Sequence, residues 1–189
     1  TNNKKYATRM QIMRNHAEAM IDSFKDADQN TMIGFNYRIT DLEAAVAVEQ
    51  FKKLDKFNFK KIELSNRLSN HLKKLKGLLG LETINNTDNV LFIYPIIFKQ
   101  EFFKVTREKF VSACIEEGAP MTNGYTTPLV DLTTFIKYAN FDEFNTARNF
   151  NDNSLIATKI CHHNNVTNQD IDDYYYALKK VHDYYLNDY

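Results

Sequence analysis

The chain has 189 residues, which is enough for one ordinary domain with a core of its own. Hydrophobic residues make up 43% and charged residues 25%, as in typical globular proteins. The 24 basic and 24 acidic residues cancel, so the composition provides no overall positive field for nucleic acid or for an anionic membrane.

Membrane and secretion signals are not visible in the sequence. No apolar run approaches the roughly 20 residues of a membrane-spanning helix, and the start lacks a signal-peptide pattern. The two cysteines, Cys114 and Cys161, do not form a disulfide framework. We therefore expect no membrane or nucleic-acid partner and a cytoplasmic location.

The first periodic segment covers residues 6–14, where Tyr6, Met10 and Met13 have the spacing of a helix. Residues 22–33 are polar and lack clear periodicity, so we predict a loop.

A polar loop meets a helix start in the stretch from Gly34 to Val46. Thr40 and Glu43 have the spacing of a capping box. Small apolar residues at 44–48 surround the first helical turns, which is typical of a helix that is buried on more than one face. Asn36 and Arg38 precede the cap, where helix amides and the helix dipole favour an anion, and a guanidinium suits phosphate or carboxylate.

Each of these loop residues also has a purely structural explanation. Gly34 can supply a turn with positive φ, and Asn36 can bond its own backbone in an Asx-turn. Arg38 can pair with Asp41 or Glu43. On spacing alone the structural explanation is favoured, because anion sites at loop-to-helix junctions are a nonspecific pattern.

A second long helix is predicted to follow the first, which should end near residues 54–55. Leucines and an isoleucine at helical spacing run among lysines up to Gly77, a natural residue after a helix C-terminus. The lysine-rich face is interpreted as solvated and not as a nucleic-acid patch, because Glu63 interrupts it and the net charge is zero.

The residue composition changes after Gly80. Residues 81–84 and 90–98 are rich in β-branched and aromatic side chains and are predicted strands, with a polar turn at 85–89. Pro95 indicates a bulge or an edge position within the second strand.

Helices and a further strand complete the chain. Thr106 is predicted to cap a helix that ends at Gly118. A short helix near 147–155 precedes a strand-like segment at 156–160. Thr167 and Asp170 form a second capping box before an amphipathic last helix, whose tyrosines are interpreted as core residues. The order of strands and helices indicates a small α+β domain.

Cys161, His162 and His163 could suggest a metal site. Adjacent ligands without a second cluster at metal spacing are weak support for one.

Several segments together resemble one enzyme family. Residues 34–45, Gly-Phe-Asn-Tyr-Arg-Ile-Thr-Asp-Leu-Glu-Ala-Ala, resemble the G-[FY]-N-[YF]-R-[ML]-[ST]-[DE]-[LI]-[QE]-A-A signature of the DegT/StrS family of pyridoxal-phosphate-dependent sugar aminotransferases. Residues 49–55 are similar to the family's x-Q-L-x-x-L-D, and residues 14–18 resemble its R-N-H-G-E, with Ala17 in place of the glycine.

The resemblance continues towards the C-terminus. Residues 118–135 resemble the family stretch G-x-x-x-x-x-x-Y-x-x-P-L-[YH]-x-x-x-x-F, whose aromatic or histidine residues line the sugar-binding mouth. Tyr125 matches the tyrosine of this motif. Val130 does not match, because the family has a ring with a polar tip, tyrosine or histidine, at that position. A half-buried Tyr125 with its hydroxyl bonded to backbone is the alternative. The segment around Cys161 resembles S-L-x-L-P-x-H-x-x-[LV]-T, which makes His162 or His163 a turn histidine.

The resemblance implies an α/β fold overall, the fold type I of pyridoxal-phosphate transferases. Residues 1–78 would be the mostly helical C-terminal part of the large cofactor-binding domain, and residues 79–189 a small α+β C-terminal domain. Thr1 and Asn2 resemble the end of a family strand that follows the cofactor lysine. The lysine, the acid and the main phosphate-binding serine or threonine would thus precede this chain, in a missing N-terminal half.

Roles for particular residues also follow from the resemblance. The asparagine that matches Asn36 reaches the phosphate of pyridoxal 5'-phosphate (PLP) in the other subunit of a dimer, with the residue matching Arg38 close by. Tyr37, Tyr125 and His162 are expected to bind substrate. The implied partners are a second copy of the chain in a homodimer with shared active sites, a keto sugar, and glutamate or glutamine as amino donor.

Three hypotheses remain open on the sequence alone. The leading one is the C-terminal part of a nucleotide-sugar aminotransferase in amino-sugar or cell-surface polysaccharide biosynthesis. A sugar dehydratase of the same family would have histidine in place of the lysine. A non-catalytic remnant that dimerises or binds a ligand is the third.

Overall fold

The computed structural model describes residues 1–17, 33–82, 87–136 and 141–187, without the side chains of residues 141 and 142. Contacts between residues divide the chain into two units, Thr1–Leu54 and Asp55–Tyr189. Apart from residue 33, the predicted loop at 22–33 lies outside the described residues. The predicted domain boundary after residue 78 concerns the complete fold and stays a prediction.

The described part of the first unit contains two capped helices. Helix α1 spans Lys4–Arg14 and begins at Asn3, whose side chain accepts a hydrogen bond from the Tyr6 amide at 3.2 Å. Helix α2 spans Asp41–Phe51 and begins with the predicted capping box at Thr40, which is confirmed. The cap satisfies amides that a helix start otherwise leaves unpaired.

Backbone segments approach each other closely between these helices. A Cβ atom on Gly34 would lie 2.2 Å from both the Ala17 nitrogen and the His16 carbonyl carbon. Gly34 does not have a positive φ angle, so the predicted turn role is wrong. Glycine is needed here because any side chain would collide with the neighbouring backbone.

The left-handed backbone conformation falls instead on His16 and Ala17, with φ angles of 62° and 59°. This conformation costs a residue with a Cβ roughly 1–2 kcal/mol, and glycine avoids the cost. We expect Ala17→Gly to raise the free energy of unfolding by about 1 kcal/mol, measured by denaturant titration. Ala45→Gly within α2 is the matched control and should lower it by about 1 kcal/mol. Equal losses in both variants would contradict the backbone argument.

Helix α2 does not have the predicted burial. None of its residues is buried within this chain. Its large apolar side chains are solvent-exposed, namely Leu42, Val46, Val48 and Phe51. The small residues of its first turns therefore do not pack on other parts of the described chain, and an apolar surface is left open.

The second unit contains one four-stranded antiparallel sheet with strand order β1-β2-β4-β3. Three longer helices, α3, α4 and α6, contribute to its core. The elements in chain order are α3 Leu54–Leu72, β1 Leu78–Leu79, β2 Tyr94–Phe98, α4 Arg107–Glu116, β3 Thr122–Asn123, α5 Asn145–Asn149, a single π-helical turn Phe150–Ser154, β4 Leu155–Thr158 and α6 Asn168–Tyr185. Helix α3 begins at the last residue of the first unit.

The core of this unit is apolar and aromatic. Three phenylalanines, Phe98, Phe103 and Phe110, contact one another with ring centroids 4.5–5.3 Å apart. Further buried side chains come from α3, from β2 and β4, and from α6: Leu64, Leu68, Leu72, Tyr94, Ile96, Ile156, Ile171, Tyr174, Tyr175, Leu178 and Val181. The prediction that tyrosines of the last helix belong to the core is confirmed for Tyr174 and Tyr175.

Several predicted boundaries are wrong. Helix α3 ends at Leu72 and not at Gly77. The amides of Lys74 and Leu75 donate to carbonyls three residues earlier, which is a tighter turn than that of an α-helix. The first strand is Leu78–Leu79 and precedes the predicted segment 81–84, of which residues 83 and 84 lie outside the described part. Strand β2 covers only residues 94–98 of the predicted 90–98.

Pro95 lies in the inner strand β2, but one of its two sides has no neighbouring strand at this position. Strand β1 pairs only with Ile97 and Phe98, whereas β4 pairs along the other side of β2 and includes Pro95. A residue without an amide hydrogen is tolerated where one neighbouring strand is absent. The predicted edge character is thus local to this position.

An ion-paired cluster joins α3 to α6. The Asp172 carboxylate accepts from Arg67 Nε at 2.7 Å, from Arg67 Nη2, and lies 2.7 Å from His71 Nε2. The His71 ring stacks on Tyr175 with centroids 4.2 Å apart. Hydrogen bonds from Arg67 and then from His71 hold the pKa of Asp172 well below its ordinary value of 3.8.

This carboxylate predicts an acid-sensitive contribution to stability. A carboxyl whose pKa is lower in the folded state stabilises the fold above its unfolded pKa, and the contribution disappears as pH falls through the folded pKa. We expect Asp172→Asn to lower the melting temperature at neutral pH, with the difference from wild type shrinking below about pH 3.8. Asp173→Asn is the control, since Asp173 is exposed and, within the described part of the chain, its carboxylate accepts from Gln169 alone, on the same helix. A difference independent of pH would contradict this role of Asp172.

Candidate functional site

The loop ahead of α2 is fixed to the end of α1 by backbone hydrogen bonds. The Phe35 amide donates to the Met13 carbonyl at 2.9 Å, and the Tyr37 amide donates to the Arg14 carbonyl at 2.9 Å. Asn15 and Asn36 form an isolated antiparallel bridge. The predicted site residues Asn36, Tyr37 and Arg38 are therefore brought together on one ordered segment.

Asn36 and Arg38 are exposed and keep donors available. The Asn36 Oδ1 atom accepts from the Arg38 amide at 3.3 Å, as in the predicted Asx-turn. Its Nδ2 group has no hydrogen-bond partner among the residues that the structure describes. The Arg38 guanidinium donates through Nη1 to Asn15 Oδ1 and not to Asp41 or Glu43, so that predicted ion pair is wrong.

Asn15 was not identified as a site residue from the sequence. It lies within the Arg14–Glu18 segment that resembles the family, and this position was the available signal. The structure shows its role, since its side-chain oxygen contacts the guanidinium of Arg38. Asn15 thereby orients a cation through an uncharged acceptor, and among the residues that the structure describes no carboxylate pairs with this guanidinium.

The start of α2 is itself negatively charged. Glu43 Oε2 accepts from the Thr40 amide at 3.0 Å and from the Thr40 hydroxyl at 2.8 Å. These hydrogen bonds, the backbone one foremost, lower the pKa of Glu43. Asp41 adds a second acidic residue in the first turn. Acidic side chains thus occupy this helix start, whereas the preceding loop carries the Asn36 amide and the Arg38 guanidinium. The anion site at this junction stays a prediction.

The donor set of this loop fits a phosphate group. A phosphate needs several hydrogen-bond donors and positive charge, and Arg38 provides both in a planar arrangement. Asn36 presents an amide donor two residues away on the same segment. Tyr37, 63% exposed, lies against Phe35 with ring centroids 5.3 Å apart.

A second candidate site is a polar cleft of about 430 Å³ in the second unit. Tyr125 is 55% exposed, and within the described residues its hydroxyl has no hydrogen-bond partner. The alternative of a half-buried ring bonded to backbone is therefore wrong. The lining residues are Asn123, Tyr125, Thr126, Thr127, Pro128, Asp131, Asn151 and Asp152. Val130 does not line the cleft.

The chemistry of this cleft suits a hydroxyl-rich ligand. Asp131 accepts from Arg148 Nε at 2.6 Å, and Asp152 accepts from Asn151 Nδ2 at 3.1 Å. Carboxylate and amide groups can each exchange hydrogen bonds with hydroxyl groups, and an aromatic ring offers an apolar face beside them.

His162 lies elsewhere in the second unit and does not line the Tyr125 cleft. Its amide donates to the Lys159 carbonyl at 2.8 Å, which confirms a histidine in a turn. Its ring contacts Phe92 edge-on with centroids 4.8 Å apart. Burial, and then the neighbouring positive charge of Lys61, lowers the pKa of His162. The neutral ring is therefore favoured.

The adjacent cysteine has no nucleophilic or metal-binding character. Cys161 is 2% exposed, and burial raises the pKa of its thiol to about 12. In the part of the chain that the structure describes, no three histidine, cysteine or acidic residues are grouped to hold a metal ion. Nor is any described helix long and apolar enough to cross a membrane.

Comparisons with known proteins identify the family of this chain. The sequence matches the DegT/DnrJ/EryC1/StrS aminotransferase family over residues 1–179. A curated relative is 26% identical over 112 residues, which are 59% of this chain and 29% of the relative. It is the UDP-4-amino-4,6-dideoxy-N-acetyl-beta-L-altrosamine transaminase of Campylobacter jejuni subsp. jejuni serotype O:23/36.

Solved structures show the same fold. S. venezuelae DesV, in complex with a ketimine intermediate, has a TM-score of 0.73 and 18% identity, with 96% of this chain and 45% of DesV covered. Helicobacter pylori PseC, an aminotransferase involved in the biosynthesis of pseudoaminic acid, has a TM-score of 0.72 and 18% identity, with 97% of this chain and 48% of PseC covered. This chain thus spans less than half of either structure. It has part of the α/β fold of these aminotransferases, and the predicted fold class is confirmed.

Proposed function

Because the chain belongs to the DegT/DnrJ/EryC1/StrS aminotransferase family, we propose that it is the C-terminal part of a sugar aminotransferase. The complete enzyme moves an amino group from glutamate or glutamine onto a keto sugar, which becomes an amino sugar while the donor becomes a 2-oxo acid. The observation that carries this proposal is the family match over residues 1–179, since it includes the loop with Asn36 and Arg38.

The proposed cofactor is PLP, which supplies an electron sink for moving the amino nitrogen. The lysine that would bind it and the acidic partner would lie in an N-terminal half of the complete protein. In this chain, Asn36 would donate its free amide to the cofactor phosphate, and Arg38 would add positive charge nearby. The contact between Arg38 and Asn15 supports this role, because it orients the guanidinium without neutralising it.

The phosphate contact would be made across a homodimer with shared active sites. The open apolar surface of α2 supports burial on assembly, since exposed apolar patches of this kind mark interaction surfaces. In an isologous dimer the same surface on each protomer meets its equivalent, so each protomer would give its Asn36 to the site of its partner.

The proposed substrate is a nucleotide-linked keto sugar. The Campylobacter relative is named as a transaminase of a UDP-linked sugar, which supports this class. Tyr125 and its polar cleft would bind the hydroxylated sugar, while Tyr37 and His162 are proposed to contact other parts of the substrate. The low pKa of His162 would let it act as a neutral hydrogen-bonding group.

Isotope transfer by the complete protein tests this function. The protein with PLP is incubated with glutamate or glutamine labelled in the amino nitrogen and with a panel of nucleotide-linked keto sugars. Labelled nitrogen in the sugar product is the expected result, detected by mass spectrometry. A sugar that loses a hydroxyl without gaining nitrogen would identify a dehydratase. Sugar binding without any turnover would identify a non-catalytic protein, and both outcomes contradict the proposal.

A further inference from the structure

Arg107 is a buried cation whose position is fixed on all sides. It is 6% exposed and is the first residue of α4. Its Nη1 group donates to the carbonyl oxygens of Asn151 at 2.5 Å and Leu155 at 3.0 Å. Its Nε and Nη2 groups donate to Glu108 Oε1 at 3.2 and 3.0 Å. A buried charge is tolerated only with such partners, so the guanidinium and both carbonyls hold one another in place.

One of the two carbonyls belongs to a residue that lines the Tyr125 cleft, and the other lies just after it in the chain. Asn151 lies in the π-helical turn Phe150–Ser154 and lines the cleft together with Asp152. Leu155 is the first residue of β4. Arg107 itself does not line the cleft, so any effect on a ligand there must pass through this turn.

The segment that carries Tyr125 is hydrogen-bonded to the Leu155 carbonyl as well. The Leu155 carbonyl also accepts from the Gly124 amide at 2.7 Å, and Gly124 immediately precedes Tyr125. Gly124 has a φ angle of 66°, and a Cβ atom there would lie 2.9 Å from Asn151 Oδ1. The turn that carries Tyr125 and the turn that carries Asn151 therefore meet at the carbonyl that Arg107 holds.

We propose that Arg107 is a positioning residue for the sugar-binding cleft, an inference that rests on the proposed function. By holding the Asn151 and Leu155 carbonyls together, it sets the spacing between the wall with Asn151 and Asp152 and the wall with Tyr125. Hydrogen bonds to sugar hydroxyls weaken steeply with distance and angle. A lysine cannot replace Arg107, because a single ammonium lacks the planar fork that reaches both carbonyls and Glu108.

Steady-state kinetics of the complete protein test this role. Arg107→Lys and Arg107→Met are compared with Lys109→Met, which removes an exposed cation from the same helix. We expect both Arg107 variants to raise the KM for the keto sugar about tenfold, as expected for misplaced hydrogen-bond partners. The kcat, the KM for the amino donor and all constants of Lys109→Met should stay close to wild type.

The outcomes that would overturn this inference can be distinguished from a failure of the proposed function. If Arg107 only stabilises the fold, its variants lose active protein, so the apparent kcat falls while the KM values for both substrates are unchanged. Should Arg107→Met fail to fold, Arg107→Lys carries the test alone. If wild type turns over no sugar, the proposed function fails together with this inference. An active wild type with an unchanged sugar KM in Arg107→Lys overturns this inference only.

Discussion

Replacing Asn36 with alanine is expected to weaken PLP binding by the complete protein roughly ten- to hundredfold. A hydrogen bond from an amide to a charged phosphate contributes about 1.5–3 kcal/mol, which corresponds to that change in affinity. The Asn36 Nδ2 group has no competing partner among the described residues, so its full contribution is available. Equilibrium dialysis of the apoprotein with PLP measures the effect. Asn66→Ala, which removes an exposed asparagine from α3, should leave PLP affinity unchanged.

Mixed dimers test whether Asn36 acts across the protomer boundary. The Asn36→Ala variant is mixed with a variant of the complete protein in which the proposed cofactor lysine is replaced. If Asn36 serves the site of its partner, one site of each mixed dimer has both groups, and PLP affinity and activity partly return. If Asn36 serves its own protomer, no mixed site is complete and neither property returns. Unchanged PLP affinity in Asn36→Ala alone would remove its proposed role altogether.

Phe110→Ala is expected to lower the free energy of unfolding by about 3–5 kcal/mol. Phe110 is 0% exposed and packs against both Phe98 and Phe103, with ring centroids 5.3 and 5.1 Å away. Truncation removes these contacts and leaves a cavity that a close-packed core cannot fill. Denaturant titration measures the loss.

An exposed aromatic residue provides the control for this change. Tyr184 is 75% exposed on α6, so Tyr184→Ala should change the free energy of unfolding by less than about 0.5 kcal/mol. Similar losses in the two variants would show that the three phenylalanines do not form the centre of the core.

Features encoded by neighbouring residues could be predicted from the sequence. The helix starts at Thr40, Thr106 and Thr167 were predicted because a capping side chain and its partner lie within three residues of each other. The family resemblance was also predictable, since it depends on short contiguous motifs, and the match over residues 1–179 confirms it.

Features that depend on distant partners could not be predicted in the same way. Strands β1 and β3 have two residues each and are defined by their pairing with β2 and β4, which no local pattern encodes. The contact of Arg38 with Asn15 joins residues 23 positions apart. The burial of α2 was predicted from small side chains, but burial requires a second surface, which the described chain does not provide.

Both thiols of the chain lie inside the core, so their reactivity can report on local opening of the structure. Cys114 is 0% and Cys161 2% exposed, and burial raises the pKa of each to about 12. A thiol-specific reagent at neutral pH can reach them only when the surrounding helices and strands separate. The labelling rate of each cysteine therefore measures how often its own region of the second unit opens, without any engineered probe.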